Sequence, residues 1–156
     1  MASSGSITSN EKEGRSITLS WSISSQDVTG NYSIISWELT GSGSASGYVM
    51  SGAFKAVING VTVYSSETRI QLRNGTSVAS GTLQISHNAD GTKSFSLSCE
   101  AGVYTYAVSV SASGTHTLNT IPRASSVSAS NVTMGSATTI AISRASSAFT
   151  HTLTYT

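Results

Sequence analysis

The segment Phe54-Lys55-Ala56-Val57-Ile58-Asn59-Gly60-Val61-Thr62-Val63-Tyr64 holds a whole β-hairpin in one short run. Apolar residues alternate on both sides of Asn59-Gly60. Asn-Gly is the strongest short hairpin signal, because both central residues of a type I′ turn need positive φ. A two-residue turn pairs Ile58 with Val61 and Ala56 with Val63, which sets all four on one face. The same register points Tyr64 away from that face, opposite Lys55.

Working outward, period-two alternation continues in both directions. Upstream, Ile17, Leu19, Trp21 and Ile23 share one parity, as do Ile35, Trp37 and Leu39. Downstream, Ile70 and Leu72 alternate with Arg69, Gln71 and Arg73 before an Asn74-Gly75 turn. Leu83 and Ile85 precede His87-Asn88-Ala89-Asp90-Gly91-Thr92, which reads as a hairpin loop. Phe95, Leu97 and Cys99 follow. A second two-residue turn at Ala101-Gly102 would pair Cys99 with Tyr104, Leu97 with Tyr106 and Phe95 with Val108, although Ala101 suits positive φ poorly. No amphipathic helix appears. Many short strands with regular turns predict an all-β chain, an antiparallel β-sandwich of jelly-roll or immunoglobulin-like type.

The proline at Pro122 marks a boundary. Residues 1–120 read as a sandwich module, 121–125 as a junction, and 126–156 as the start of a second β-domain or a strand extension. The last piece carries a short apolar face at Ile140 and Ile142 and another at Phe149, His151, Leu153 and Tyr155. So short a segment rarely folds alone. It is expected to pack against the first domain or a second copy.

Composition narrows the function. Charged residues make up 10% of the chain, the formal net charge is +1, and no Lys/Arg run occurs. A nucleic-acid site would show a basic stripe. No stretch approaches the ~20 apolar residues of a membrane-spanning helix. The opening Met1-Ala2-Ser3-Ser4-Gly5-Ser6 lacks the charged and apolar regions of a signal peptide, so synthesis and folding in a cytoplasm are expected. Cys99 is the only cysteine, and its parity with Phe95 and Leu97 predicts a buried thiol.

Several segments in order resemble a known family. They are Ile34-Ile35-Ser36-Trp37, residues 57–64, Asn74-Gly75-Thr76-Ser77-Val78-Ala79-Ser80-Gly81, His87-Asn88-Ala89-Asp90-Gly91-Thr92-Lys93-Ser94-Phe95 and Thr120-Ile121-Pro122-Arg123-Ala124-Ser125. Together they resemble the siphophage minor structural proteins of phages from streptococci and related Gram-positive bacteria. That resemblance implies a virion location in the tail or baseplate and a role at the host surface. It implies further β-domains beyond the proline junction, other tail proteins as partners and a homo-oligomer, with a trimer favoured. It supplies no catalytic residues.

The residues add little chemistry. His87, His116 and His151 are scattered and acids are few, so neither an oriented nucleophile nor a carboxylate pair is expected, and no enzyme activity is predicted. Asn88-Ala89-Asp90-Gly91 resembles a calcium loop but offers too few carboxylates; turn chemistry accounts for it, so neither metal nor cofactor is expected. Asn31, Asn74 and Asn131 begin N-x-S/T sequons of the kind a Ser/Thr-rich chain carries by composition. Trp21, Trp37, Tyr104 and Tyr106 have core parity. The surface candidates are therefore Tyr48, Tyr64, Lys55, Arg69 and Arg73, with host cell-wall polysaccharide as the expected ligand. Two other readings are an architectural virion domain without a ligand and, more distantly, an accessory wall-binding module of a cell-wall hydrolase.

Overall fold

The computed structural model describes residues 2–43, 50–103, 108–131 and 133–144. Every regular element among them is a strand. The order is β1 (Ser4–Thr8), β2 (Arg15–Asp27), β3 (Tyr32–Gly43), β4 (Met50–Ile58), β5 (Val61–Ser66), β6 (Ile70–Gln71), β7 (Thr76–Ser86), β8 (Ser94–Val103), β9 (Val108–Thr117), β10 (Ser125–Ala129) and β11 (Ile140–Arg144). One sheet runs β1-β2-β3-β7 and the other β5-β4-β8-β9, with the short β6 also on β4. All pairings within these sheets are antiparallel. The arrangement β2-β3-β7 over β5-β4-β8-β9 matches the A-B-E and C′-C-F-G order of the immunoglobulin class. Strand β1 is added beside β2.

The alternation that predicts the strands also builds the core. Ile17, Leu19, Trp21, Ile35, Trp37, Leu39 and Ile85 from the first sheet meet Phe54, Ala56, Ile58, Leu97, Cys99 and Val110 from the second. Trp21 stands directly opposite Trp37 across β2 and β3. Trp21 lies edge-on to Phe95, with ring centroids 5.1 Å apart. Its indole N–H donates to His116 Nδ1 at 3.3 Å.

The Asn59-Gly60 turn forms as expected, with φ of 51° and 78°. The register beyond it differs. A bulge between Ala56 and Val57 pairs Ala56 with Tyr64 and Lys55 with Ser65. The extra residue turns Tyr64 toward the Ala56 side, where it packs half-buried against the core. The β8–β9 pairing differs as well. Ala101 and Gly102 stay within the strand, and Cys99 pairs with Ala112, Leu97 with Gly114 and Phe95 with His116. A two-residue turn at Ala101-Gly102 would have forced positive φ on Ala101; instead the pairing continues to Val103, opposite Val108. Tyr104 and Tyr106 fall outside the described residues, as does the strip from Phe149 to Tyr155.

Residues just past 120 are tied to the sandwich. Ile121 is fully buried, and its N–H donates to the Gly91 carbonyl at 2.9 Å. Arg123 donates to the Val28 carbonyl at 2.8 Å. Beyond this anchored junction β10 and β11 form a separate two-stranded sheet. Val127 pairs with Ile142 and Ala129 with Ile140, so the apolar side chains share one face. Val127, Ile140 and Ile142 are each about half exposed.

Candidate functional site

Strand parity that sends Trp21 and Trp37 inward sends hydroxyls outward. Ser20 and Ser22 on β2, Ser36 and Glu38 on β3, and Ser80 and Thr82 on β7 line a shallow open depression of about 650 Å³ on the first sheet. Cross-strand register brings these residues together: Ser22 faces Ser36, Ser36 faces Thr82, and Glu38 faces Ser80. Hydroxyls bond one another across the strands, as Ser24 does with Ser36. Glu38 supplies the one carboxylate of the depression and accepts from Ser77 Oγ at 2.8 Å. The depression therefore offers many neutral donors and acceptors and one charge.

A second depression, about 390 Å³, lies on the outer face of the other sheet, lined by Lys55, Val57, Ser98, Glu100, Ser111 and Ser113. Lys55 stands opposite Glu100 in register, and the two charges lie 3.9 Å apart with both side chains half exposed. So exposed a pair contributes at most about 1 kcal/mol. Beneath it Cys99 faces the core at 2% exposure. Burial pushes its thiol up to about 11, against partial offsets from backbone hydrogen bonds to Ala112 and Leu19.

The surface set expected from sequence is not brought together. Lys55 lines the second depression with Glu100. Tyr64 does not join it, because the bulge turns the ring toward the core. Arg69 is exposed near Gly52 at the β6 end of the sheet. Arg73 sits in the turn into β7, where its N–H donates to Thr76 Oγ1 at 2.8 Å. Neither arginine lines either depression. Tyr48 lies outside the described residues. The hydroxyl depression was missed because period-two parity marks each serine as outward but does not say that β7 lies next to β3.

Oxygens of the loop from His87 to Thr92 take part in hydrogen bonds within the protein. His87 Nδ1 meets the Gly91 carbonyl and its Nε2 meets Ser33 Oγ, each at 2.7 Å. Asp90 accepts from the Thr92 N–H and hydroxyl. Among the described residues no group of three His, Cys, Asp or Glu could hold a metal ion.

Residues 5–156 match the model of a family described as siphovirus protein of unknown function (DUF859). The chain belongs to this siphovirus family. No curated protein and no solved structure matches it. The match covers both sheets of the siphovirus sandwich, the proline junction and the strands after it, so hydroxyl face and tail hairpin lie inside one family unit.

Proposed function

We propose that this siphovirus chain is a non-enzymatic structural module of the virion tail or baseplate. Its hydroxyl-lined first sheet would dock cell-wall carbohydrate of a Gram-positive host. The observation that carries the reading is the depression of Ser20, Ser22, Ser36, Ser80, Thr82 and Glu38. A polysaccharide presents dense hydroxyls around the apolar C–H faces of its rings. A sheet face of neutral hydroxyls can exchange hydrogen bonds with it without the desolvation penalty that buried charges carry. Each net hydrogen bond contributes only about 0.5–1.5 kcal/mol. One site would hold weakly, and many copies in a virion would raise the avidity.

Binding of the purified chain to isolated Gram-positive cell walls tests this. The pair Ser22→Glu and Ser36→Glu sets like charges directly opposite on the outer face and leaves the core untouched. Wall binding should fall at least about tenfold, since 1.4 kcal/mol is a factor of ten. An unmodified chain that fails to bind walls at hundreds of micromolar would sink the proposal.

One observation favours a purely architectural role instead. Trp21 and Trp37 border the depression but are only 3% and 7% exposed, so it gives a sugar hydrogen bonds and little aromatic ring to stack on. On that reading the same face meets a neighbouring virion subunit, and wall binding is absent from the start.

A further inference from the structure

The two sides of the first sheet end differently. On the β2 side, β1 adds a strand, and the Ala2 N–H donates to the Thr117 carbonyl at 3.1 Å, tying this side to the second sheet. The Asn10 side chain accepts from the Ser111 N–H on the adjacent β9 edge. On the other side β7 is the last strand, and among the described residues none lies beyond it. In the A-B-E-D sheet of constant-type immunoglobulin domains, a D strand covers this place. Here β5 pairs with β4 in the opposite sheet instead.

Exposed edges are ordinarily blunted by lysines, prolines, bulges or shortness. β7 spans Thr76–Ser86 and contains no charged residue and no proline. Its only irregularity against β3 lies where Leu39 and Thr40 face Ala79 and Ser77, and from Ala79 to Ser86 the register is unbroken. At one edge of the second sheet, β5 is six residues long and is followed directly by Glu67.

We propose that β7 pairs antiparallel with β7 of a second copy, about a two-fold axis at Thr82, joining two four-stranded sheets into one of eight. A strand edge presents alternating N–H and C=O groups, which another extended backbone satisfies. The absence of charge removes the like-charge opposition that would keep identical strands apart. Parity restricts the register, because the half-buried side must stay on one face and a one-residue slip reverses it. Centring on Thr82 keeps the regular stretch paired and sets small residues against large on the inner side. Gly81 then faces Leu83 of the second copy, and Ala79 faces Ile85. On the outer side Thr82 meets its own counterpart and Ser80 meets Gln84. The hydroxyl depressions of the two copies become one continuous surface.

Sedimentation and cross-linking of the full chain test this, with readouts separate from wall binding. The unmodified chain should sediment at twice its 16.0 kDa mass. Thr82→Lys places like charges face to face at the axis and should give a monomer with unchanged circular dichroism. Thr82→Cys should oxidise to a disulfide-linked dimer, whereas Gln84→Cys should not, since its partner is Ser80. Buried Cys99 should stay unlinked in both. A monomeric unmodified chain at hundreds of micromolar would overturn the inference. So would an oligomer of any size that Thr82→Lys leaves intact, or equal cross-linking at positions 82 and 84.

Discussion

Ser33 and His87, 54 residues apart in sequence, meet at 2.7 Å in the buried corner where β3 passes the β7–β8 loop. The Gly91 carbonyl can only accept, so His87 Nδ1 donates to it. Gln26 Nε2 donates to Ser33 Oγ at 3.1 Å, which leaves the Ser33 hydroxyl to donate to Nε2. The same Gly91 carbonyl accepts from Ile121. One ring thus holds the loop that holds the chain's exit from the sandwich.

His87→Ala removes both ring bonds and strands a buried hydroxyl. It should destabilise the sandwich by about 2–3 kcal/mol in urea unfolding, since an unsatisfied buried group costs about 1–3 kcal/mol on top of the lost bonds. Amide exchange at Ile121 should quicken in the same variant. Unchanged unfolding and exchange would mean that the corner contributes nothing.

Gly81 and Trp37 form a second test. A Cβ on Gly81 would lie 3.0 Å from Trp37 Cζ2 and 3.2 Å from its Nε1, closer than the ring tolerates without shifting. Gly81→Ala should cost about 1–3 kcal/mol through overpacking. In a Trp37→Phe background the cost should shrink, since the smaller ring vacates that space. Additive losses in the double-mutant cycle would show that Gly81 is not reserved for the indole. Trp37→Ala should cost about 3–5 kcal/mol.

Cys99 predicts an alkaline limb. The folded thiol holds its proton to about 11, above its ordinary value of 9.0, chiefly because burial disfavours the thiolate. Between those values the unfolded chain ionises first, so stability is flat below the ordinary thiol range, falls through the window and levels off above about 11. Cys99→Ala should flatten this limb. A thiol reagent should label the native chain slowly and the denatured chain quickly. Rapid native labelling would put the thiol at the surface.

The acid limb has the opposite sign. Asp27 is held below 3.8, first by the Gly30 N–H at 2.7 Å and then by the Tyr32 hydroxyl. Asp90 is lowered by the Thr92 hydroxyl and N–H. Both contribute stability that is present above the ordinary carboxylate range and is lost as pH falls through the folded values. Carboxyl titration by NMR should give midpoints below 3.8 for both. Midpoints at or above the ordinary value would show that these turn bonds do not persist in solution.

Much of the fold was readable because alternation and turn chemistry act locally. The inward set of Ile17, Leu19, Trp21, Ile35, Trp37 and Leu39 follows from parity alone, and Cys99 with it. The errors lie where one residue changes the count. The bulge at Ala56–Val57 leaves no mark in the alternation, yet it turns Tyr64 toward the core, where it lies half-buried. The hydroxyl depression depends on β7 returning to β3 across more than thirty intervening residues, a pairing that no local pattern encodes.

The hydroxyl face also sets how contacts made there respond to the medium. Attraction between charges weakens as salt shortens the Debye length, from about 10 Å at 0.1 M to about 3 Å at 1 M. A surface of serines and threonines around one carboxylate has little ionic atmosphere to lose. Contacts through it should keep nearly the same strength in dilute and in concentrated salt.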